Sequence, residues 1–178
     1  MNLIIKRIRT SMWLPISLLT LLLAAHAPAF SKSATHVRSA VVTRVVDGDT
    51  IWVKTAQRSK PLKVRIIGID APEACQPGGA ISSEALRRLL TAQAVTLSTT
   101  GARPRDSYGR LLAKVDLRGQ DVGHWMVANG HAWSYSYRRN LGPYAMEQAQ
   151  AVAARRGLFS NHAAENPRLF RKRHGSCY

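Results

Sequence analysis

The chain has 178 residues, with 26 Lys and Arg against 10 Asp and Glu and a formal net charge of +16 at pH 7. This length suits one domain with a hydrophobic core and is too short for two domains of ordinary size. The positive charge favours a polyanionic partner such as nucleic acid, with a merely soluble cationic surface as the alternative. Anionic lipid is disfavoured, because the sequence after residue 29 has no long apolar stripe beside a basic face.

Residues 1–29 have the pattern of a secretory signal peptide. Three basic residues precede an apolar stretch at residues 12–25, and residues 27–29 form a small-x-small cleavage site. We expect cleavage before Phe30 and a secreted or periplasmic protein. An uncleaved membrane anchor is the alternative, but Pro15 interrupts the apolar stretch, which is shorter than the roughly 18 to 20 residues that a span requires.

Three β-strands are predicted at the start of the remaining sequence. Residues 39–46 and 51–55 are rich in β-branched residues and flank the Asp-Gly dipeptide at 47–48. This dipeptide favours a tight hairpin because both positions tolerate positive φ, so we expect the first two strands to pair. The third predicted strand covers residues 62–69, and the isoleucines at 66–67 are expected to be buried on both of its faces.

Helices and further strands follow. Helical spacing of apolar residues between 81 and 90 predicts an amphipathic helix that is opened by the serines at 82–83. The remaining predicted elements are strands at 95–99 and 111–117, a helix at 122–129 closed by Gly130, and a helix that starts at Pro143 and stops at Gly157.

This order of elements predicts an α+β fold. Five strands with a helix after the third indicate an OB-fold, a five-stranded Greek-key barrel, here with three helices and an open face suited to oligonucleotides. The expected organisation is a signal peptide at 1–29, a flexible mature N-terminus at 30–38, the barrel domain at 39–160 and a basic C-terminal tail at 161–178.

Carboxylates are scarce in this basic chain, and three of them stand at turns or strand ends. Asp49 begins the second predicted strand and Asp70 ends the third, so their side chains can approach each other and offer oxygen ligands to calcium or magnesium. Taken separately, each aspartate is also ordinary turn chemistry. Glu73 follows Asp70 closely, with Pro72 fixing the backbone between them. It is the candidate general base, with a surface loop glutamate as the alternative.

Arg65 and Arg110 are the candidate anion clamps. A guanidinium offers a planar fork of donors to phosphate oxygens and keeps its charge. Arg65 and Asp70 are five residues apart, so an uninterrupted strand would direct their side chains to opposite faces. We therefore expect a bulge at Gly68, which would bring the two side chains together.

Aromatic residues near these positions are candidate substrate contacts. Tyr108, Tyr135 and Tyr137 are candidates to stack on bases or to pack against sugars. Trp125 and Trp133 are expected in the core.

The two cysteines, Cys75 and Cys177, leave two alternatives open. In an oxidising compartment they can form a disulfide, and otherwise Cys75 is a buried thiol and Cys177 a loose one. A disulfide would hold the basic residues 168–174 beside the loop that carries Glu73, where they would add contacts to phosphates.

Three short blocks carry a resemblance to a known family. They are Val46-Asp47-Gly48-Asp49-Thr50, Val64-Arg65 through Ile69-Asp70-Ala71-Pro72-Glu73, and Asp106-Ser107-Tyr108-Gly109-Arg110. Their order and intervals resemble those of the staphylococcal nuclease-like (thermonuclease) family, over roughly residues 39–159. Ala71 stands where the best-known member has Thr, which is harmless if only the backbone carbonyl is used.

The resemblance implies an OB-type barrel and a calcium-dependent nuclease that cuts the P–O5′ bond of DNA and RNA to leave 3′-phosphates. The matching residues are the calcium ligands Asp49, Asp70 and Ala71 (through its carbonyl), the catalytic Arg65, Glu73 and Arg110, and the nucleotide-facing Tyr135, with Tyr108 as a further substrate contact.

A non-catalytic OB-fold module that binds nucleic acid or protein is the rival hypothesis, because the fold alone does not imply chemistry. A module that has lost its activity is expected to lose some of the charged site residues. All five are present here: Asp49, Arg65, Asp70, Glu73 and Arg110. The sequence therefore favours a secreted or periplasmic endonuclease that needs calcium. We expect it to act as a monomer on DNA and RNA, without stable membrane association.

Overall fold

The computed structural model describes residues 35–101, 104–160 and 164–177. The predicted signal peptide and most of the predicted flexible N-terminus lie outside these described residues. Within them, no helix is long and apolar enough to cross a membrane.

Eight strands and four α-helices are formed by the described residues. The strands are β1 Thr35–Val45, β2 Thr50–Lys54, β3 Leu62–Ile66, β4 Ile69–Asp70, β5 Ala94–Thr100, β6 Leu111–Leu117, β7 Gln120–Asp121 and β8 Trp133–Ser134. The helices are α1 Gly79–Leu90, α2 Val122–Ala128, α3 Ala145–Ala153 and α4 Pro167–His174, with a 3₁₀ helix at Gly157–Ser160.

Five of the strands close a barrel, as predicted for an OB-type fold. The sheet has the order β3-β2-β1-β5-β6-β7, and parallel pairing of β3 with β6 closes it. The side chains of Ile51, Val64, Leu97 and Val115 are fully buried inside. Strand β1 begins earlier than the predicted residue 39 because its first residues pair with β5.

The β1–β2 hairpin forms as predicted but through a different turn. The Val46 N–H donates to the Thr50 carbonyl at 2.8 Å, and neither Asp47 nor Gly48 has a positive φ. Glycine is required at position 48 by close packing instead, because a Cβ there would overlap the side chains of Ser82 and Ala71. The turn is thereby held against helix α1 and the loop after β4.

The predicted third strand is broken by a turn. Strand β3 ends at Ile66, and Gly68 has a φ of 82° before β4 begins. Ile66 is buried, but Ile67 is 37% exposed and lines a surface cavity, so the prediction that both isoleucines are buried was wrong for Ile67. The turn interrupts the strand, and Ile67 therefore leaves the barrel interior.

Helix α1 begins at Gly79, so the two serines lie inside it rather than at its start. Both are buried, and their hydroxyls are satisfied by backbone carbonyls. Ser82 Oγ donates to His131 O at 2.6 Å, and Ser83 Oγ donates to Gly79 O at 2.8 Å. Hydroxyl groups that are hydrogen-bonded in this way can be buried at little cost. Ile81, in contrast, is exposed on the outer face of the helix.

The segment interpreted from the sequence as a basic tail contains helix α4, a fourth helix beyond the three predicted. The Asn166 side chain accepts a hydrogen bond from the Arg168 N–H at 3.0 Å, and Pro167 occupies the first turn. Both features are typical of a helix N-terminus. Phe170 is buried and anchors the helix.

Candidate active site

A cavity of about 450 Å³ opens at one end of the barrel. The turn before β2, strands β3 and β4, the loop after β4 and the turn before β6 supply most of its walls, and residues near the C-terminus complete it. All eight site residues predicted from the sequence line this cavity: Asp49, Arg65, Asp70, Ala71, Glu73, Tyr108, Arg110 and Tyr135. Segments that are far apart in the sequence thus meet at one place.

Arg65 joins the two aspartates proposed as metal ligands. Its Nη2 lies 3.0 Å from Asp49 Oδ2 and 3.4 Å from Asp70 Oδ1, while its Nη1 donates to the Ile66 carbonyl at 2.8 Å. The turn at Gly68, rather than a bulge within a continuous strand, brings Arg65 and Asp70 to the same side. The predicted bulge at Gly68 was therefore wrong in form, because the chain turns between two separate strands at that position.

Asp49 is held from both sides. Its Oδ1 accepts a hydrogen bond from Thr50 Oγ1 at 2.9 Å, and its Oδ2 accepts one from the Ala71 N–H at 3.1 Å. Asp49, Asp70 and Ala71 are all buried. The backbone that connects Asp70 to Ala71 is therefore tied directly to the first aspartate.

Burial and mutual repulsion raise the pKa of two carboxyl groups in this cluster. Burial and then the charge of Asp49 raise the pKa of Asp47 to about 7. Burial also raises the pKa of Asp70, although the arginines at 171 and 65 oppose this shift. A cation bound nearby would stabilise the charged form of both carboxyl groups. From the sequence, Asp47 was expected only as a turn residue.

Arg110 is positioned by the turn that precedes β6. Its Nε donates to Asp106 Oδ2 at 2.7 Å, and its Nη1 donates to Thr50 Oγ1 at 3.3 Å. Asp106 Oδ1 also accepts the backbone N–H groups of Tyr108 and Arg110. Burial raises the pKa of Asp106, but these hydrogen bonds outweigh it and lower the pKa overall. Asp106 thus remains ionised and orients the guanidinium.

The two tyrosines assigned to substrate lie at the rim of the cavity. Tyr108 is 70% exposed, and the guanidinium carbon of Arg110 lies 5.4 Å from its ring centroid. Tyr135 is about half exposed, and its N–H donates to the Gly68 carbonyl at 2.9 Å. Tyr137 does not line the cavity, and its ring lies near the guanidinium of Arg168.

Arg171 of helix α4 reaches into the centre of the cavity. Its Nη2 lies 2.9 Å from Asp70 Oδ2, and its Nη1 lies 3.1 Å from Asp70 Oδ1 and 2.9 Å from Glu73 Oε1. Burial would lower its pKa, but these carboxylates dominate and raise it. Arg171 was not among the site residues predicted from the sequence.

A disulfide between Cys75 and Cys177 fixes the C-terminal segment to the loop that carries Glu73. The two Cα atoms are 5.8 Å apart across 102 residues of sequence. The Gln76 side chain also donates to the Glu165 carbonyl at 2.7 Å. Of the two alternatives for the cysteines, the disulfide is therefore the one formed, and it places α4 beside the Glu73 loop. The pairing of the two cysteines was the feature of the sequence that could have placed Arg171 near the site.

The chemistry of the oxygen donors fits a hard cation. Asp49 and Asp70 are buried, share one Arg65 nitrogen and supply carboxylate oxygens of the kind that calcium and magnesium prefer. Within the described residues, no group of three His, Cys, Asp or Glu side chains is arranged to hold a metal ion. A cation here would therefore complete its shell with backbone carbonyl or water oxygens.

A closed OB-type barrel with paired arginines and carboxylates at its open end defines a class of protein suited to the phosphodiester backbone of nucleic acids. Comparison with models of protein families matches residues 63–161 to the family described as staphylococcal nuclease homologue. The chain belongs to the staphylococcal nuclease family.

Curated relatives extend the similarity beyond that match. An uncharacterized endonuclease of Escherichia coli O157:H7 is 35% identical over 133 residues, which cover 74% of this chain and 84% of the relative. A similar protein of the same description from Haemophilus influenzae is 34% identical over 74% of this chain and 71% of its own length. The thermonuclease of Staphylococcus intermedius is 36% identical over 72% of this chain and 80% of its own length.

Proposed function

We propose that this protein is a calcium-dependent endonuclease that hydrolyses DNA and RNA at the P–O5′ bond and leaves 3′-phosphates. The family and the names of its relatives support nuclease activity. The observation that carries the proposal is the shared contact of Arg65 with Asp49 and Asp70 in a cavity that also contains Glu73 and Arg110. One cavity is thus lined by carboxylates that could bind a cation, by a candidate general base and by two arginines that could bind phosphate.

Asp49, Asp70 and the carbonyl of Ala71 would hold the cation. When bound, calcium supplies positive charge that stabilises the developing charge of the phosphate. The hydrogen bonds from Thr50 and Ala71 keep the Asp49 carboxylate in a fixed orientation without the cation. This preorganisation lowers the reorganisation needed at the moment of reaction.

Glu73 is the general base in this proposal. Its Oε1 faces the same space as Asp70, as their common contact with Arg171 shows. A carboxylate there can accept a proton from an attacking water, and a positioned base contributes on the order of 10²–10⁴ in rate.

Arg65 and Arg110 would bind the oxygens of the scissile phosphate. Each guanidinium is already directed into the cavity by a carboxylate, Arg65 by Asp49 and Arg110 by Asp106. Fixed donors of this kind stabilise the additional charge of the transition state better than mobile ones. Tyr108 and Tyr135, exposed at the rim, would pack against the adjoining nucleotides.

We further propose that the protein acts outside the cytoplasm as a monomer and without stable membrane attachment. The disulfide supports an oxidising compartment, since cytosolic proteins keep such thiols reduced. The signal peptide predicted from the sequence points to the same compartment.

Cleavage of a labelled oligonucleotide, with calcium and with excess chelator, tests the catalytic proposal. We expect Asp49→Ala to lose cation binding and activity together, and the native site to bind calcium with a Kd on the order of 10⁻⁴–10⁻³ M. Asp116→Ala is the matched control, because the Asp116 carboxylate accepts the Gly119 N–H in a distant turn. Full activity in chelator would exclude calcium as the required cation. Binding of the oligonucleotide without its cleavage would favour the non-catalytic binding module.

A further inference from the structure

Helix α4 supplies a side chain to the acid cluster from outside the segment matched to the family. The family match ends at residue 161, whereas α4 spans Pro167–His174. Arg171 nevertheless makes three of the contacts within the cluster, all with carboxylate oxygens. An arginine placed in this way must affect whatever else these carboxylates bind.

Both carboxylate oxygens of Asp70 are engaged by Arg171. Oδ2 lies 2.9 Å from Nη2 and Oδ1 lies 3.1 Å from Nη1, and Oδ1 also lies 3.4 Å from the Nη2 of Arg65. Asp70 is only 4% exposed, so it has little other free surface. Calcium binds carboxylate oxygens at about 2.3–2.6 Å. A cation bound by Asp70 would therefore lie beside the guanidinium of Arg171 and compete with it for these oxygens.

The position of Arg171 is fixed by contacts on both sides of its helix. The Cys75–Cys177 disulfide holds the chain that follows α4. The bond from Gln76 to the Glu165 carbonyl holds the chain that precedes it, and the buried Phe170 secures the helix itself. A group tethered this closely has a high effective concentration at its binding site.

The charges in the cluster predict how removal of Arg171 would change the affinity for a cation. Five carboxyl groups and three guanidinium groups line one cavity: Asp47, Asp49, Asp70, Glu73 and Asp106, with Arg65, Arg110 and Arg171. Removing a positive charge from such a cluster raises its attraction for a cation, because like charges no longer repel it.

We propose that Arg171 is a positioning residue that competes with the cation for Asp70. It holds the carboxylates of Asp70 and Glu73 together in the absence of the cation, and cation binding is coupled to release of this contact. The inference rests on the proposed function, because it takes Asp70 as a cation ligand. It extends that function by proposing that helix α4, which the disulfide anchors, sets the cation affinity of the site.

Calorimetric titration with calcium, without nucleic acid, tests the inference on the oxidised protein. We expect Arg171→Gln to bind calcium more tightly than the native protein, on the order of 10-fold or more, as is typical of coupling between sites. Arg168→Gln is the matched control: it removes the same charge from the same helix, but its guanidinium lies over Tyr137. A residue with a merely structural role would leave calcium affinity unchanged or weaken it when replaced.

Two further proteins keep the test independent of the folding of one variant. Arg171→Lys keeps the charge but loses the paired geometry, so its calcium affinity should lie between those of the native protein and Arg171→Gln. The double variant Cys75→Ser, Cys177→Ser keeps Arg171 but loosens its helix, and should also bind calcium more tightly.

Equal calcium affinity in Arg171→Gln and Arg168→Gln would overturn the inference and leave the proposed function intact. Weaker binding by Arg171→Gln would also overturn it, and would make Arg171 a support of the site rather than a competitor. If neither the native protein nor Arg171→Gln binds calcium, the inference and the calcium requirement both fail. Nuclease activity measured in chelator then decides the rest of the proposed function separately.

Discussion

The barrel mouth and the C-terminal segment meet in one cavity but are held there by different kinds of contact. Asp49 directly precedes β2 and Arg65 lies on the neighbouring strand β3, and the Ile66 N–H donates to the Asp49 carbonyl at 2.8 Å. Arg171 depends instead on a short helix and one disulfide. The first set belongs to the barrel itself, whereas we expect the second to open locally more readily than the barrel.

This difference suggests that the barrel residues carry out catalysis and that the C-terminal helix adjusts binding at the site. Residues on the barrel strands keep fixed distances, which phosphate binding and proton transfer require. The C-terminal helix adds charge at the same place without contributing to the closure of the barrel. We therefore expect substitutions at the barrel mouth to change turnover most, and changes in the C-terminal segment to act on stability and binding.

The largest expected effect is that of Arg65→Ala or Arg110→Ala. By analogy with arginines that offset charge in phosphoryl transfer, each should lower turnover on the order of 10³–10⁵ while the barrel stays folded. Single-turnover cleavage of a defined oligonucleotide measures the effect, and circular dichroism reports on the fold. Arg118→Ala is the control, because that side chain contacts Gln93 at a distant turn. Near-normal cleavage by either variant would remove that arginine from the mechanism.

The barrel part of the cavity was predictable because its signals are local. Asp49 and Asp70 mark strand ends, and the five-residue interval between Arg65 and Asp70 requires an interruption, which Gly68 provides. The exposure of Ile67 was not predictable, since an apolar run does not show where its strand ends.

The place of Arg171 could not be predicted from local sequence. It depends on the pairing of Cys75 with Cys177, 102 residues apart, which the sequence left open. The start of helix α4 was marked, since Asn166 and Pro167 form a common helix-opening pair, but the basic composition suggested a tail. Which face of that helix meets the acids is set by tertiary packing alone.

Loss of the disulfide should have the next largest effect. The bridge closes a loop of 102 residues, and in the chain-entropy model its removal destabilises the protein by up to about 4.7 kcal/mol. We expect reduced protein to unfold at lower urea concentration than oxidised protein, and to bind long substrate more weakly at low salt. Identical urea midpoints would show that the C-terminal segment adds no stability to the barrel. Two free thiols by intact mass would refute the bridge itself.

The smallest expected effect is that of Lys172→Ala. Lys172 is exposed on helix α4, next to Arg171 and outside the acid cluster. If it contacts one phosphate of a long single strand, the slope of log affinity against log salt should fall by about 0.7, with little change in cleavage of a short substrate. Binding is measured in chelator, so that the strand stays intact. Lys54→Ala is the control, since Lys54 ends strand β2 at the opposite end from Thr50. Equal slopes for both variants would place the path of the strand away from α4 and confine substrate binding to the barrel mouth.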